Sequence, residues 1–202
     1  MSNIVINPLS SEQRDAAARL LARAFVTNPL HIAAFGAANF ASNEIFFRAA
    51  LAVMKGPKLV ATDGSRIVGV IHWVQSPKCQ FSGVEKIRMT PAMLKGLGLL
   101  FSVKVSSWMA AWSKRDPAEP HIHLGPIGVD PEAQGRGIGR RLMERYCEEL
   151  DRAAVAGYLE TDRPENVEFY KRFGFWVVET APVLGVDNYF MWRAIRAGVA
   201  RG

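Results

Sequence analysis

Several features that would mark a secreted, disulfide-stabilised or membrane-spanning protein are absent from this sequence. Its 202 residues contain only two cysteines, Cys79 and Cys147, which lie far apart and have no C-x-x-C spacing. Such usage is typical of free thiols in a reducing compartment. The longest stretch without Asp, Glu, Lys or Arg, residues 24–43, contains Pro29 and Gly36 and does not resemble a membrane span. No basic segment followed by an apolar one begins the chain, so we expect a cytoplasmic protein.

A strong charge imbalance is also missing. Lys and Arg number 25 against 19 for Asp and Glu, and basic residues occur only in short doublets such as Arg140-Arg141. This pattern predicts a mildly basic, solvated surface, and nucleic acid is not an expected partner. A chain of this length buries enough apolar surface to fold without a disulfide or metal staple, and we assign no residue to a metal site.

The hydrophobic periodicity predicts one α/β domain over residues 1–202, with helices on the faces of a sheet. Helices are predicted after the start signal at residues 10–13 up to a stop at Pro29, and over residues 44–54, 90–114, 137–156 and 164–173. Strands are predicted over residues 58–62, 66–74, 121–129, 158–161, 175–179 and 188–194. We expect Gly157 to supply a left-handed C-terminal cap and Asp162 to be the N-cap of the next helix.

A glycine-rich loop stands between the strand at residues 121–129 and the helix that follows it. Residues 128–139 read GVDPEAQGRGIG, with glycines at alternate positions 135, 137 and 139. Glycine lets the backbone close around a ligand, and the free N–H groups of the next helix favour an anion such as a pyrophosphate. A phosphate loop of the Walker A type needs Gly-Lys-Ser/Thr, and a dinucleotide loop needs G-x-G-x-x-G; neither spacing matches well.

The segment Gln134-Gly135-Arg136-Gly137-Ile138-Gly139 resembles the Q/R-x-x-G-x-G/A acetyl-CoA loop of the GNAT superfamily of N-acetyltransferases. Residues 166–175, NVEFYKRFGF, resemble the superfamily's N-x-x-x-Y-x-x-x-G-F segment. The resemblance extends over about residues 58–179 and is firmest from His121 onward. It implies a mixed, mostly antiparallel sheet that splays at the cofactor strand. It also implies a cofactor-binding core at about residues 121–180 and an inserted helical segment at about residues 80–119.

The resemblance also assigns residues to acetyl-CoA, the implied co-substrate. The exposed amides of the strand end would pair with the pantetheine arm, and the loop would hold the pyrophosphate. Pro126 and Gly128 suit a strand that loses regular pairing at this edge. The implied cofactor-binding residues are Ile127, Gly128, Val129, Gln134, Gly135, Arg136, Gly137, Ile138, Gly139, Arg140, Asn166 and Tyr170.

Two residues are implied as catalytic. Tyr170 matches the position at which many superfamily members carry the general acid that protonates the departing CoA thiolate. His123 is the candidate general base, because histidine titrates in the useful range and some superfamily members place a carboxylate on this strand. His121 lies on the same predicted strand face, and Glu160 and Asp162 end the adjacent strand, so these three remain alternatives.

The expected reaction is direct transfer of an acetyl group from acetyl-CoA to a primary amine in a ternary complex. Neither cysteine lies in the cofactor loop, so nothing indicates an acetyl-enzyme. An acyl-CoA-binding sensor without turnover is the alternative, and a ribosome- or nucleic-acid-associated protein is a second. The acceptor, a small-molecule or peptide amine, and the oligomeric state, with a homodimer possible, stay open at this point.

Overall fold

A computed structural model of the protein describes residues 4–195. The helices are α1 (Arg14–Phe25), α2 (Pro29–Phe35), α3 (Phe40–Val53), α4 (Gly83–Ser113), α5 (Ile138–Ala153) and α6 (Pro164–Lys171). The strands are β1 (Ile4–Pro8), β2 (Lys58–Asp63), β3 (Arg66–Gln75), β4 (His121–Val129), β5 (Ala156–Thr161), β6 (Trp176–Val183) and β7 (Val186–Arg193). No helix among these residues has both the length and the apolar character needed to cross a membrane.

All seven strands form one sheet in the order β1-β2-β3-β4-β5-β7-β6. Only β4 and β5 run parallel, and every other neighbouring pair is antiparallel. Consecutive residues of a strand face opposite sides, so Tyr158 and Leu159 belong to different cores. Helices α1–α4 cover the first core and α5 and α6 cover the second. The predicted fold class, a mixed sheet with helices on both faces, is confirmed.

Strands β4 and β5 separate part-way along their length. Only His121, Ile122 and His123 of β4 pair with β5, although β4 continues to Val129. From Leu124 onward, the edge of β4 that faces β5 therefore has no strand partner. The splay predicted for the cofactor strand is present, but it begins immediately after His123 rather than at Ile127–Val129, where it was expected.

Several predicted element boundaries were wrong. Helix α1 begins at Arg14, directly after residues 10–13 as predicted, but it ends at Phe25, so Pro29 begins α2 instead of ending α1. Proline suits the first helical turn because its missing N–H has no helical acceptor there. Helix α4 begins at Gly83 rather than residue 90, because Ser82 and Glu85 form a capping box; a kink lies at Gly98, with φ 77°.

Both predicted caps were also wrong. Ala154, with φ 50° and ψ 46°, is the left-handed residue that ends α5, and Gly157 lies inside β5. A Cβ at Gly157 would approach Leu150 Cδ1 to 2.6 Å, so close packing of α5 on the sheet requires glycine there. Asp162 is not the N-cap of α6; Arg163 holds that position, and the Asp162 carboxylate contacts the turn before α2 instead.

Candidate functional site

The glycine loop presents a helix N-terminus whose first amides are free of helical partners. Gly135 and Gly137 have φ of 77° and 76°, a region that glycine adopts without strain. The first bond into α5 runs from the Arg141 N–H to the Gly137 carbonyl, at 3.1 Å. The N–H groups of residues 138–140 thus have no acceptor in the helix, and the positive end of its dipole lies behind them. This arrangement suits an anionic ligand.

The arginines of this loop make ion pairs of their own. Arg136 Nη2 lies 2.6 Å from Asp63 Oδ2, and Arg140 Nε lies 2.8 Å from Glu144 Oε1. Both pairs are solvent-exposed, so each is worth little and can exchange for a phosphate contact. The Gln134 side chain approaches the Val129 carbonyl at 3.5 Å. Backbone amides are therefore the fixed part of this anion-binding surface.

Asp130 anchors the start of the loop, although the sequence pattern did not single it out. Its buried carboxylate accepts the Glu132 N–H at 3.1 Å and pairs with Arg23 Nη2 at 2.7 Å. Burial would raise the pKa of Asp130, but these contacts outweigh burial and lower it. The sequence did contain a signal for this role, an Asp-Pro pair directly after a strand. An Asp side chain often accepts a hydrogen bond from the backbone N–H two residues further on.

A β-bulge shapes the strand that leads into the loop. Gly125 and Pro126 together lie opposite the single residue His72, since Leu124 pairs with Trp73 and Ile127 pairs with Ile71. A Cβ at Gly125 would lie 2.2 Å from His72 Nδ1, so only glycine fits. Gly128 remains paired with Val70 and packs closely on α1. The irregularity thus falls at residues 125–126, and Gly128 does not contribute to it.

A cavity of about 190 Å³ opens where β4 and β5 separate. Residues 123–127 of β4, Glu160 and Thr161 of β5, and Asn166 and Tyr170 of α6 line one side. The opposite wall comes from helices α1–α4 and is largely aromatic: Phe25, His31, Phe46, Phe47, Trp108 and Trp112. The cavity therefore combines an apolar wall with a polar floor at the splay.

Two ionisable side chains meet at that floor. His123 Nε2 lies 2.7 Å from Glu160 Oε2 and, since an ionised carboxylate only accepts, His123 donates this bond. Burial would lower the pKa of His123, but the Glu160 charge and the nearby Asp116 raise it above its ordinary range. The His123 Nδ1 faces Asp116 rather than the cavity. Glu160 Oε1 is buried and has no hydrogen-bond partner among the described residues.

The other two candidate bases have their polar atoms engaged. His121 is fully buried, and its Nδ1 lies 2.8 Å from the Glu119 carbonyl. The Asp162 carboxylate accepts the Asn28 side-chain amide at 2.7 Å and the Leu30 N–H at 2.6 Å, one on each oxygen. Burial raises the pKa of Asp162. These contacts tie α2 to the end of β5, and of the two candidate carboxylates only Glu160 has an oxygen without a hydrogen-bond partner among the described residues.

Tyr170 and Asn166 reach the cavity from α6. The Tyr170 ring packs edge-on against Phe169 and Phe175, with centroids 5.4 and 6.4 Å away. Burial raises the pKa of Tyr170, so its phenol keeps its proton at neutral pH. The Asn166 side-chain amide donates to Thr161 Oγ1 at 3.2 Å. The predicted acid thus lines the same cavity as His123, Glu160 and Asp162.

Known proteins share both the sequence features and the fold. The family described as "Acetyltransferase (GNAT) family" matches residues 40–175. The chain belongs to this GNAT acetyltransferase family. The N-alpha-acetyltransferase RimI of Mycobacterium tuberculosis is 37% identical over 81 residues, which are 38% of this chain and 50% of that protein. The matched segments span half or less of the length of the curated relatives.

Solved structures share the GNAT fold at low sequence identity. One structure from Corynebacterium glutamicum is described as "histone acetyltransferase HPA2 and related acetyltransferase". It superposes with a TM-score of 0.75 at 19% identity, covering 99% of this chain and 100% of that one. A GNAT family acetyltransferase from Brucella melitensis, crystallised with acetyl-CoA, gives 0.55 at 18% identity, covering 100% and 94%. At these identities the likeness establishes the fold.

Proposed function

We propose that the protein transfers an acetyl group from acetyl-CoA to a primary amine by direct attack in a ternary complex. One arrangement supports this function. Three features lie side by side: the free amides of α5, the unpaired edge of β4, and the cavity lined by Glu160 and Tyr170. We further propose that residues 1–202 act as one unit, with the core at about 121–180 and residues 80–119 as an insertion.

Acetyl-CoA would bind along this surface through its phosphates and its pantetheine arm. The amides of residues 138–140 would hold the pyrophosphate, with Arg136 and Arg140 exchanging their present ion pairs for it. Gln134, Gly135 and Gly137 would shape the loop. Gly139 has no side chain and would leave room for the cofactor beside the first turn of α5. The amides of Ile127, Gly128 and Val129 and the Asn166 side chain would meet the pantetheine, directing the thioester carbonyl toward an N–H.

Glu160 is the residue best placed to take a proton from the amine. The residue lines the cavity, and its buried Oε1 has no hydrogen-bond partner among the described residues, while its Oε2 accepts the His123 N–H. His123, implied as the base by the family resemblance, would then orient Glu160 and balance its charge. Attack forms the N–C bond, Glu160 accepts the amine proton, and the C–S bond breaks. Tyr170 donates its proton to the departing thiolate.

The cavity wall indicates the class of acceptor. Its aromatic side chains, contributed by α1–α4, favour an amine carried on an apolar or aromatic body over a polyamine. An ammonium group would be drawn to the Glu160 carboxylate at the floor. We therefore propose a small arylalkylamine or a peptide whose first residue is apolar.

A thiol-release assay with a panel of amines tests this function. Arylalkylamines, aliphatic diamines and peptides with apolar or charged first residues are compared, while calorimetry measures acetyl-CoA binding separately. We expect binding together with release of CoA for the apolar amines. Binding with no release for any amine would support a non-catalytic acyl-CoA sensor instead, and no binding by folded protein would contradict both functions.

A further inference from the structure

Four potential metal ligands gather beside β4, on the far side of His123 from Glu160. Cys79 follows β3, Asp116 follows α4, and His121 and His123 lie two residues apart on one face of β4. One ligand atom from each of the four side chains falls within 4.8 Å of the other three. Their wide spacing in the sequence explains why no local motif predicts a metal site here.

The separations resemble those of a tetrahedral metal site. His121 Nε2 lies 3.4 Å from Cys79 Sγ and 3.5 Å from Asp116 Oδ1, and His123 Nδ1 lies 3.5 Å from the same Asp116 oxygen. Tetrahedral Zn²⁺ with bonds of about 2.0 Å to nitrogen and oxygen and about 2.3 Å to sulfur separates its ligands by about 3.3–3.6 Å. The widest pairs would need to close by about 1 Å.

The outer nitrogens of both histidines already have the partners that metal-bound histidines use. His121 Nδ1 lies 2.8 Å from the Glu119 carbonyl, and His123 Nε2 lies 2.7 Å from the Glu160 carboxylate. Such contacts fix the ring and leave the opposite nitrogen free for a metal. In both histidines that opposite nitrogen is the one that faces Cys79 or Asp116.

Two inward-facing atoms have no hydrogen bond among the described residues. They are Asp116 Oδ1 and His123 Nδ1, and His123 is 92% buried, with a relative exposure of 8%. They lie 3.5 Å apart as an ion pair without a hydrogen bond, and a cation at the centre would bind both. One thiolate and one carboxylate would also neutralise a divalent ion.

A nucleophilic triad does not fit Cys79, His121 and Asp116. In a triad the acid contacts one ring nitrogen and the thiol the other. Here Cys79 and Asp116 both approach Nε2 of His121, while Nδ1 is taken by a backbone carbonyl. Convergence on one point is the geometry of ligands around an ion.

We propose that Cys79 Sγ, Asp116 Oδ1, His121 Nε2 and His123 Nδ1 form a closed, structural Zn²⁺ site. Zn²⁺ displaces the Cys79 thiol proton and the protons on His121 Nε2 and His123 Nδ1, and all of these protons pass to solvent. Since Cys79 precedes α4 and Asp116 follows it, the ion ties both ends of the helical insertion to β4. It would also hold His123 in the orientation that supports Glu160, without touching the acetyl acceptor.

Cobalt substitution tests the site independently of acetyl transfer. Metal-free protein, shown to be folded by circular dichroism, is titrated with Co²⁺ and then with Zn²⁺. We expect one equivalent of Co²⁺ with visible bands of a four-coordinate ion and a near-ultraviolet thiolate-to-cobalt band, all removed by Zn²⁺. Cys79→Ser should lose the near-ultraviolet band, and the matched control Cys147→Ser should keep it.

Asp116→Asn is a second ligand variant that keeps the test valid if Cys79→Ser does not fold, because it preserves the shape of the side chain. We expect it to weaken Co²⁺ affinity at least about tenfold. Folded wild-type protein that gives no cobalt spectrum, a thiolate band that survives Cys79→Ser, or unchanged affinity in Asp116→Asn would each overturn the proposal.

Discussion

His123 Nε2 and Glu160 Oε2, 2.7 Å apart, join β4 to β5 just beyond the last backbone pairing between these strands. His123 is the final β4 residue to pair with β5, and Glu160 lies two residues past its partner Tyr158. A side-chain contact thus replaces the backbone ladder where the sheet opens. The carboxylate is held rigidly at the floor of the acceptor cavity, which is what a general base requires.

Glu160→Gln should remove the base while preserving the shape of the side chain. We expect turnover to fall about 10²–10⁴-fold, because the amide cannot accept the amine proton. Acetyl-CoA affinity measured by calorimetry should stay within about a factor of two. Glu165→Gln, at an exposed position on α6, is the matched control and should retain wild-type turnover. Equal activity of the two variants would remove Glu160 from this role.

Tyr170→Phe should separate binding from chemistry at the sulfur. The ring contacts with Phe169 and Phe175 survive, so folding and acetyl-CoA affinity should be nearly unchanged. Turnover should drop at least about tenfold, because the thiolate leaves without a proton donor. Steady-state kinetics of thiol release give the comparison. Wild-type turnover in this variant would show that Tyr170 only packs against the helix.

Gly137→Ala should destabilise the cofactor loop through backbone strain alone. A Cβ there meets nothing within 4 Å, but φ is 76°, and a left-handed alanine costs about 1 kcal/mol. We expect urea unfolding to show a loss of about this size, together with weaker acetyl-CoA binding as the α5 amides shift. Gly83→Ala, which also meets nothing but has no positive φ, is the control. Equal stability of the two variants would contradict the strain argument.

Local sequence patterns were enough to predict β4, the glycine loop and α5, and with them the family. Strand periodicity, alternate glycines and an amphipathic helix are all encoded within about 35 consecutive residues. The hairpin between β2 and β3 was predictable for the same reason, from Asp63-Gly64 between two strand-like segments, although its turn consists of Gly64 and Ser65. Strand β1 was missed because it has only five residues, of which only Ile4 is buried.

The site residues required tertiary information. The sequence offered His123 as the candidate base and His121, Glu160 and Asp162 as alternatives, since all four lie on a strand near the splay or directly after one. Their roles diverge only through partners on other elements, such as Asn28 and Leu30 for Asp162. Residues 79 and 116 come together with β4 only because α4 runs away from the sheet and returns. Such contacts between distant segments leave no periodic signal.

The buried His31 should make stability fall in mild acid. It lies 2.6 Å from Asn43 Oδ1 and stacks on Phe47, and burial lowers its pKa to about 4. Between about pH 6.5 and 4 the unfolded chain binds a proton that the folded chain does not, so stability present above pH 6.5 is lost as pH falls. From pH 7 to 5 this histidine should cost about 2 kcal/mol. Urea unfolding at both pH values should show a smaller loss in His31→Gln, in which His72 still contributes to the slope while His121 and His123, whose pKa values are raised, oppose it. An identical pH dependence in the variant would mean that His31 already carries a proton in the folded protein.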